Sequence, residues 1–468
     1  MKASFSLTAT VYAALMSCIF FTQCSPRECQ DNSLPAQWIF MNRNTPLYAV
    51  SWVGEEHCIK AMNGSNVKIE AVRADVNKEV PYTYSDRNGI PYVGTLIQDD
   101  YLLFRIPAGS LDKGSHVEID AVIVSNPMSP KYFIIEYYEG QKWKSVTEDL
   151  LTVEENPELK YSFRCSGIAH GEPHEHTSVY QTIKLAENIC SNELKIRFRA
   201  VGDYTCSGEK QNAEAEEGAI GFATFGYTGA YIADLGTAVP ADTTDILCIG
   251  NSFTYFSNTP SLMKEIAWSQ GHYFNVKASI KGGQTLEQHT GRILTRHLAE
   301  AGGYDYVILQ DQSQNPAKYA SDPVKHADVA EGYMNICSLV LPHSPGCKVI
   351  LEQTWAYPGN KHGGFEDFHN FTRKLEEGAE AMAAQNGASV SPIGNAYKII
   401  WDEKRKEIRL FDSDSKHQSH YGSYLKACVN YLMITGEPFS DNVADCGLEP
   451  WKAATLRAVA ERVVLKES

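Results

Sequence analysis

The stretch Ile246-Leu247-Cys248-Ile249-Gly250-Asn251-Ser252-Phe253 decides how the second half of the chain can be interpreted. Its four leading apolar residues are typical of a buried strand, and Gly-Asn-Ser ends that run before a helical pattern begins near Thr259. Parallel α/β sheets bind ligands at the carboxyl ends of their strands. The sequence therefore predicts that the Ser252 hydroxyl lies at a ligand-binding edge.

A second polar block, Asp414-Ser415-Lys416-His417, precedes a helical run at residues 421–434. Serine, histidine and a carboxylate are the parts of an acyl-transfer nucleophile and its base. We predict that Ser252 is the nucleophile, that His417 accepts its proton, and that Asp414 accepts the other imidazole N–H.

Simpler interpretations of these residues stay open at this point. Ser252 could serve as a helix cap and nothing more, and His417 could be an ordinary surface histidine. Asp412 is an alternative to Asp414, and His420 is an alternative to His417, although His420 falls on the helical turn that Ser419 is expected to cap.

Length and composition limit the class of protein. The chain has 468 residues, which predicts two or more domains, and its 43% hydrophobic and 21% charged residues are those of a globular protein. The net charge of −15 argues against nucleic acid and anionic membrane surfaces as main partners.

The first residues resemble an export signal. Lys2 is followed by an apolar or small stretch at residues 3–22, and polar sequence begins after it. A lipoprotein signal places a cysteine at its cleavage point, and Cys18 and Cys24 both qualify, with Cys24 preferred. We expect an exported, membrane-anchored lipoprotein at the periplasm or cell surface; simple secretion and a membrane-spanning anchor are the alternatives.

Cysteine and histidine give little indication of metal binding. The sequence holds 12 cysteines and no Cys-x-x-Cys, and Cys248 and Cys428 fall on a predicted strand and helix, where buried thiols are expected. A histidine-rich segment could bind a divalent metal, but a solvated loop is the preferred interpretation; its members are His170, Glu172, His174, Glu175 and His176. We predict no metal and no cofactor.

The two halves of the chain have different patterns. Residues 30–240 hold many short runs that alternate apolar and polar side chains, which predicts an all-β, jelly-roll-like sandwich. Residues 241–468 alternate strand and helix patterns, which predicts a parallel sheet with helices on both faces. Residues 239–242 are the predicted linker.

The elements of the second half follow from periodicity and from helix-end residues. The predicted strands are residues 246–249, 274–280, 304–309, 348–353 and 388–392. Two predicted helices begin at Thr259 and at Ser321. The other predicted helices span residues 286–301, 365–385, 421–434 and 449–466.

Residues 242–468 resemble the SGNH (GDSL-like) hydrolases, a flavodoxin-like α/β family of esterases and lipases. The family's first block is Gly-Asp-Ser after the first strand, and here it reads Gly250-Asn251-Ser252. Its last block is Asp-x-x-His, which Asp414 and His417 match. The Gly-Asn-Ser form and the following Ser419-x-x-Gly422-x-Tyr424-Leu425 resemble a largely uncharacterised subgroup.

The resemblance implies three donors for the oxyanion of the tetrahedral intermediate. The first is the backbone N–H of Ser252, and the second is Gly283, in the glycine turn that follows the second strand. The family's third block, Gly-x-Asn-Asp, is replaced here by a glutamine-rich segment, from which we select Gln312, then Gln310, then Asn315.

Four residues are predicted to shape the substrate site. Asn251 replaces the family's aspartate and is expected to tie down the turn, and Gln310 is a second polar candidate. Trp355 and Tyr357 follow the fourth strand and could form an apolar or sugar-stacking wall, with ordinary core packing as the alternative.

The expected function is a serine esterase that removes small acyl groups, O-acetyl above all, from a polysaccharide or glycan. The β-sandwich would bind carbohydrate, by analogy with modules that accompany such domains. The alternatives are a lipid or other carboxylic-ester hydrolase, a catalytically inactive glycan-binding lipoprotein, and an acyltransferase. The expected partner is the acylated glycan or another small ester.

Overall fold

The computed structural model describes residues 36–38, 58–61, 64–74, 78–79, 82–84, 91–93, 96–125, 127–146, 162–164, 175–212, 220–222, 230–234, 243–358, 364–412 and 414–465. The predicted export signal with Cys18 and Cys24, the predicted linker, and His170, Glu172 and His174 of the histidine-rich segment lie outside these residues. No helix in the described ranges is long and apolar enough to cross a membrane.

The first half consists of antiparallel strands in its described residues. They are β1 (Ala36–Trp38), β2 (Cys58–Ala61), β3 (Gly64–Arg73), β4 (Lys78–Glu79), β5 (Tyr82–Tyr84), β6 (Pro91–Val93), β7 (Tyr101–Pro107), β8 (His116–Ser125), β9 (Pro130–Glu139), β10 (Lys142–Ser145), β11 (Ser162–Arg164), β12 (Glu175–Lys184), β13 (Glu193–Thr205), β14 (Ile220–Phe222) and β15 (Ala230–Asp234).

These strands form two sheets. One has the order β1-β15-β8-β14-β6-β5 with β12 also paired to β8, and the other has the order β10-β9-β13-β7-β3-β2 with β11 on β9 and β4 on β3. Strand β13 shows the expected alternation, since Leu194, Ile196 and Phe198 are buried and the residues between them are half-buried. Side chains of both sheets, such as Phe104 and Ile119, belong to one buried cluster. The jelly-roll description of the whole first half stays a prediction.

The second half alternates strands and helices as the sequence predicts. Its elements are β16 (Thr243–Gly250), α1 (Ser252–Tyr255), α2 (Thr259–Ser269), β17 (Tyr273–Ile280), α3 (Leu286–Thr290), α4 (Ile293–Ala301), β18 (Tyr306–Leu309), α5 (Asn315–Ser321), α6 (Ala327–Val340), β19 (Lys348–Glu352), α7 (Phe368–Ala383), β20 (Ser389–Ser391), α8 (Ile393–Lys404), α9 (His420–Thr435) and α10 (Pro450–Val464), with short 3₁₀ turns at Phe256–Asn258 and Leu341–His343.

The second-half strands form one parallel sheet in the order β17-β16-β18-β19-β20. This is the flavodoxin-like 2-1-3-4-5 order, so the predicted α/β fold is confirmed. The central strand β16 is buried on both faces: Ile246 and Cys248 point into one apolar cluster, and Leu247 and Ile249 point into the other. The order reverses between β16 and β18, so the loops after these two strands meet at the switch point, where such folds bind ligands.

Several predicted helix boundaries are wrong. The predicted helix at residues 286–301 is two helices, because the chain breaks at Gly291 and Arg292. The helix expected from Ser321 begins at Ala327 instead, and Ser321 ends α5, which pattern alone missed. Helix α5 has only seven residues, too few to show a clear helical period.

Helix α5 is held against α7 through a glycine contact. A Cβ added to Gly378 would lie 1.8 Å from the Pro316 carbonyl oxygen, so only a residue without a side chain allows this approach. The contact matters for the site because α5 directly follows the loop after β18.

We expect Gly378→Ala to lower the free energy of unfolding by about 3 kcal/mol, because α5 and α7 must separate to admit the methyl group. Urea unfolding followed by circular dichroism measures this. The matched control is Gly291→Ala, whose new Cβ would meet its nearest atom at 3.9 Å, and whose effect should stay within about 1 kcal/mol. Equal effects of the two substitutions would contradict the proposed close contact.

Candidate active site

The turn after β16 is built around the Asn251 side chain. Asn251 is the N-cap of α1: its Oδ1 accepts the N–H of Phe253 at 3.1 Å, and its Nδ2 donates to the Gln284 carbonyl at 2.8 Å. The side chain is buried. Asn251 therefore holds the turn, as expected, and its amide is not exposed to a substrate.

The turn presents Ser252 to the histidine of the second block. His417 Nε2 lies 2.9 Å from Ser252 Oγ, and His417 Nδ1 lies 2.5 Å from Asp414 Oδ2. The structure thus brings the three predicted residues together in one line, although the sequence separates them widely. A ring held by a carboxylate at Nδ1 presents its unprotonated Nε2 to the serine hydroxyl.

The Asp414 carboxylate is held by its own loop. Its Oδ1 accepts the backbone N–H groups of Lys416 and His417, each at 2.9 Å. Partial burial of Asp414 raises its pKa, but the His417 and Lys416 hydrogen bonds outweigh this and bring the pKa to about 2. Asp414 is therefore ionised at neutral pH. Asp412 uses its backbone N–H to bind the His417 carbonyl at 2.8 Å and is not the carboxylate at the ring.

Aromatic rings fix the plane of the His417 imidazole. Phe256 stacks on it with ring centres 4.3 Å apart, and Phe253 meets it edge-on at 5.6 Å. Phe253 in turn stacks on Trp355 at 4.1 Å, and Trp355 Nε1 donates to the Lys416 carbonyl at 3.1 Å. One aromatic column therefore supports both the helix that carries Ser252 and the loop that carries His417.

The structure corrects the predicted aromatic wall. Trp355 is fully buried between Phe253 and Tyr397, and Tyr357 is buried with its hydroxyl accepting Gln314 Nε2 at 3.0 Å. Neither ring offers a face to a substrate. Both residues follow β19 as expected, but their rings pack in the core, which was the alternative interpretation.

Gln310 also differs from its predicted role. It is buried, and its Oε1 accepts the Asn251 N–H at 2.9 Å and the Thr254 hydroxyl at 3.1 Å. The Gln310 amide therefore supports the turn after β16, and it is too buried to contact a substrate. A Cβ on Gly250 would lie 2.9 Å from Gln310 Oε1, which explains the glycine.

His420, the alternative base, lies outside the site. Its Nε2 donates to the Cys446 carbonyl at 2.7 Å, and burial lowers its pKa to about 4. Ser419 caps α9 as predicted, accepting the Gly422 N–H at 3.3 Å.

The predicted oxyanion donors differ in how much of their hydrogen-bonding capacity is used. Ser252 is the first residue of α1, so its N–H has no partner inside the helix. Gly283 has φ +72° and is exposed, and in the described ranges its N–H donates to no acceptor.

Gln312 Oε1 accepts the Gln314 N–H at 2.9 Å, which leaves its half-buried amide NH2 with one contact, Ser313 Oγ at 3.2 Å. Asn315 instead donates to Asp311.

A buried histidine that the sequence analysis missed lies beneath the turn. His289 Nε2 donates to the Gly250 carbonyl at 2.9 Å, so Nδ1 accepts from the Thr295 hydroxyl at 3.0 Å, and Thr295 accepts from Ser279 at 2.7 Å. Burial lowers the pKa of His289 to about 3, which keeps the ring neutral. His289 therefore stabilises the end of β16.

A buried ion pair, also missed, lies behind α1. Lys426 Nζ contacts Glu352 Oε2 at 2.6 Å, the Phe253 carbonyl at 2.8 Å and Thr254 Oγ1 at 3.2 Å. The two charged side chains are 1% and 2% exposed. A sequence signal existed: Lys426 is a lone charge in the apolar α9 run, and Glu352 ends the apolar run of β19.

No group of three or more His, Cys, Asp or Glu side chains in the described ranges is placed to hold a metal ion. The candidate site consists of the hydrogen-bonded line, its aromatic support and the loops after β16, β17 and β18.

Comparisons with known proteins give remote likenesses. No family model and no curated protein matches the chain. Solved structures that match include a DUF4886 family protein from Bacteroides uniformis, 19% identical over 48% of this chain and 96% of that one, with a TM-score of 0.41. The Bacillus subtilis protein YXIM is 13% identical over 79% and 88%, with a TM-score of 0.35. An acetylxylan esterase from Geobacillus stearothermophilus is 14% identical over 42% and 95%, with a TM-score of 0.31. At this distance none of them assigns a family or an activity.

We expect Lys426→Met to lower the free energy of unfolding by about 3 to 5 kcal/mol, because it leaves the Glu352 carboxylate buried without its cation. Urea unfolding measures the change. The double variant Lys426→Met/Glu352→Gln should recover most of it. The control Lys398→Met breaks a solvent-accessible pair with Asp402 and should cost less than about 1 kcal/mol; an equally small cost at Lys426 would refute the buried pair.

The neutral state of His289 predicts a pH dependence of stability. Because its folded pKa lies below the ordinary value of 6.5, the unfolded chain binds more protons between pH 6.5 and about 3. This residue should therefore make stability fall as pH falls through that window, by at most about 1.4 kcal/mol per pH unit. His289→Gln removes this contribution, while that of His420 remains in both proteins. Parallel stability curves for the two proteins would contradict the assignment.

Proposed function

We propose that the chain is a serine esterase that works through an acyl-serine intermediate. The observation that carries the proposal is the unbroken line of hydrogen bonds from Ser252 Oγ through the His417 ring to Asp414. It lies at the strand-order reversal of a parallel sheet, the position where such folds bind ligands.

The proposed chemistry follows from the protonation states of this line. As Ser252 Oγ bonds to the ester carbonyl carbon, His417 Nε2 takes the hydroxyl proton, and Asp414 stabilises the imidazolium that forms. His417 then gives that proton to the leaving alcohol, and the acyl group stays on Ser252. A water molecule, deprotonated by the same ring, releases the acid and restores the serine.

Negative charge develops on the carbonyl oxygen in both steps and needs fixed donors. We propose the N–H groups of Ser252 and Gly283 and the amide of Gln312 for this role. Their support is that the two backbone N–H groups remain unused within the described ranges, and that Gln314 anchors the Gln312 side-chain oxygen, which leaves the Gln312 NH2 with one described contact, Ser313 Oγ.

For the substrate we propose a small acyl ester, with O-acetyl on a polysaccharide or glycan first. The support is indirect: the expected export signal, antiparallel sheets in the first half that we propose form a carbohydrate-binding sandwich, and the motif resemblance. A lipid ester is the second candidate. We also propose that a lipid on Cys24 anchors the exported protein to a membrane.

We expect the mature chain to release 4-nitrophenol from 4-nitrophenyl acetate, and Ser252→Ala to lower kcat by a factor of roughly a thousand or more. The reason is that the variant lacks the hydroxyl oxygen that takes up the acyl group in the proposed mechanism. The initial rate of 4-nitrophenol release by each protein at neutral pH measures this. The control Ser191→Ala, an exposed first-half serine, should keep the full rate.

The outcomes separate the candidate functions. Equal rates for wild type and Ser252→Ala would remove Ser252 as nucleophile. No turnover by the wild type, together with binding of the chain to immobilised glycans, would favour the inactive binder. Preference for acetate over butyrate, followed by acetate release from an acetylated glycan, would support the carbohydrate substrate.

A further inference from the structure

The proposed mechanism gives no role to the buried carboxylate of Asp311, which lies near the site. Asp311 is 2% exposed and follows Gln310 in the loop after β18. Its Oδ1 accepts the backbone N–H groups of Gln312 at 2.7 Å and of Leu286 at 2.9 Å, and its Oδ2 accepts Asn315 Nδ2 at 3.0 Å.

These donors belong to different loops. Leu286 is the first residue of α3 and ends the loop that carries Gly283, whereas Gln312 lies in the loop after β18. One carboxylate therefore clamps the two loops that carry the second and third proposed oxyanion donors. The Asn251 amide ties the first of these loops to the nucleophile turn through the Gln284 carbonyl.

The clamp needs a carboxylate rather than a carboxyl group. Within the described residues all three hydrogen-bond partners of Asp311 are N–H donors, so a proton on either oxygen would face a donor. Burial raises the pKa of Asp311 to about 6, against the lowering effect of those three hydrogen bonds, and the negative charge of Asp328 on α6 raises it further. The groups that reach Asp311 from α3, α5 and its own loop are uncharged. Weak acid would therefore protonate it.

We propose that Asp311 is the positioning residue of the oxyanion site: its carboxylate fixes Gly283 and Gln312 relative to each other, and its protonation, which sets a proton against at least one of the three N–H donors, weakens that hold. This inference rests on the proposed esterase function and adds a residue that the Ser252, His417 and Asp414 line does not contain.

The test is Asp311→Asn, which keeps the shape but places an NH2 against one of the three donors. A misplacement of this kind should lower kcat for 4-nitrophenyl acetate about a hundredfold, with KM little changed, because the donors act on the developing oxyanion. The wild-type kcat profile should show an acid transition near pH 6 that is absent from the variant, while the transition due to protonation of the base remains in both.

A double variant that exchanges the residue types at 311 and 315 tests whether the loss of kcat comes from the hydrogen bonds or from a general structural effect. In Asp311→Asn/Asn315→Asp the amide oxygen at 311 can still accept both N–H groups, and its NH2 can donate to the new carboxylate at 315. It should recover most of the lost kcat. The control Asp328→Asn removes an exposed charge nearby and should keep the wild-type kcat.

The outcomes are distinguishable. If Ser252→Ala abolishes turnover but Asp311→Asn keeps the wild-type kcat and pH profile, the Asp311 proposal is overturned and the esterase stands. If Asp311→Asn does not fold, the double variant decides: recovered kcat supports the clamp, and a folded but slow double variant overturns it. If Ser252→Ala has no effect on the rate, the esterase proposal itself fails.

Discussion

The hydrogen bonds of the Gln310 amide to the turn after β16 are the constraint on which the site depends. Gln310 Oε1 accepts hydrogen bonds from the N–H of Asn251 and the hydroxyl of Thr254, so one buried amide pairs two donors of the turn. The Asn251 side chain takes the next free N–H, that of Phe253. The N–H of Ser252, between them, donates to no acceptor among the described residues. Buried polar groups are generally paired, and the pairing in this turn leaves without a described acceptor the N–H group that we propose for the oxyanion.

The polar groups beneath the turn form two hydrogen-bonded sets. Lys426 joins the Phe253 carbonyl to Glu352 at the end of β19, and His289 joins the Gly250 carbonyl to the Thr295 hydroxyl. Such networks contribute little net stability, since desolvation offsets much of the attraction. They do penalise every arrangement in which one member loses its partner. We infer that they hold the turn in one conformation rather than stabilise the fold.

Aromatic stacking links the two halves of the proposed catalytic line. Phe253 follows Ser252 in sequence and contacts both Trp355 and the His417 ring, while Trp355 binds the carbonyl of Lys416. A change in the core below would therefore shift the serine and the histidine together. Of the two rings expected to face a substrate, Trp355 instead supports the Phe253 ring and the Lys416 carbonyl, and Tyr357 packs in the core.

The sequence determined the parallel α/β fold and the composition of the line, because the strand period, Gly250-Asn251-Ser252 and Asp414 with His417 are local signals. Their approach to hydrogen-bonding distance, the burial of Trp355 and the supporting role of Gln310 were decided by tertiary structure. Side chains that follow a strand can point up to solvent or down into the core, and only the helices packed around them choose. The same holds for Lys426 and Glu352, whose separate signals become an ion pair only when α9 covers β19.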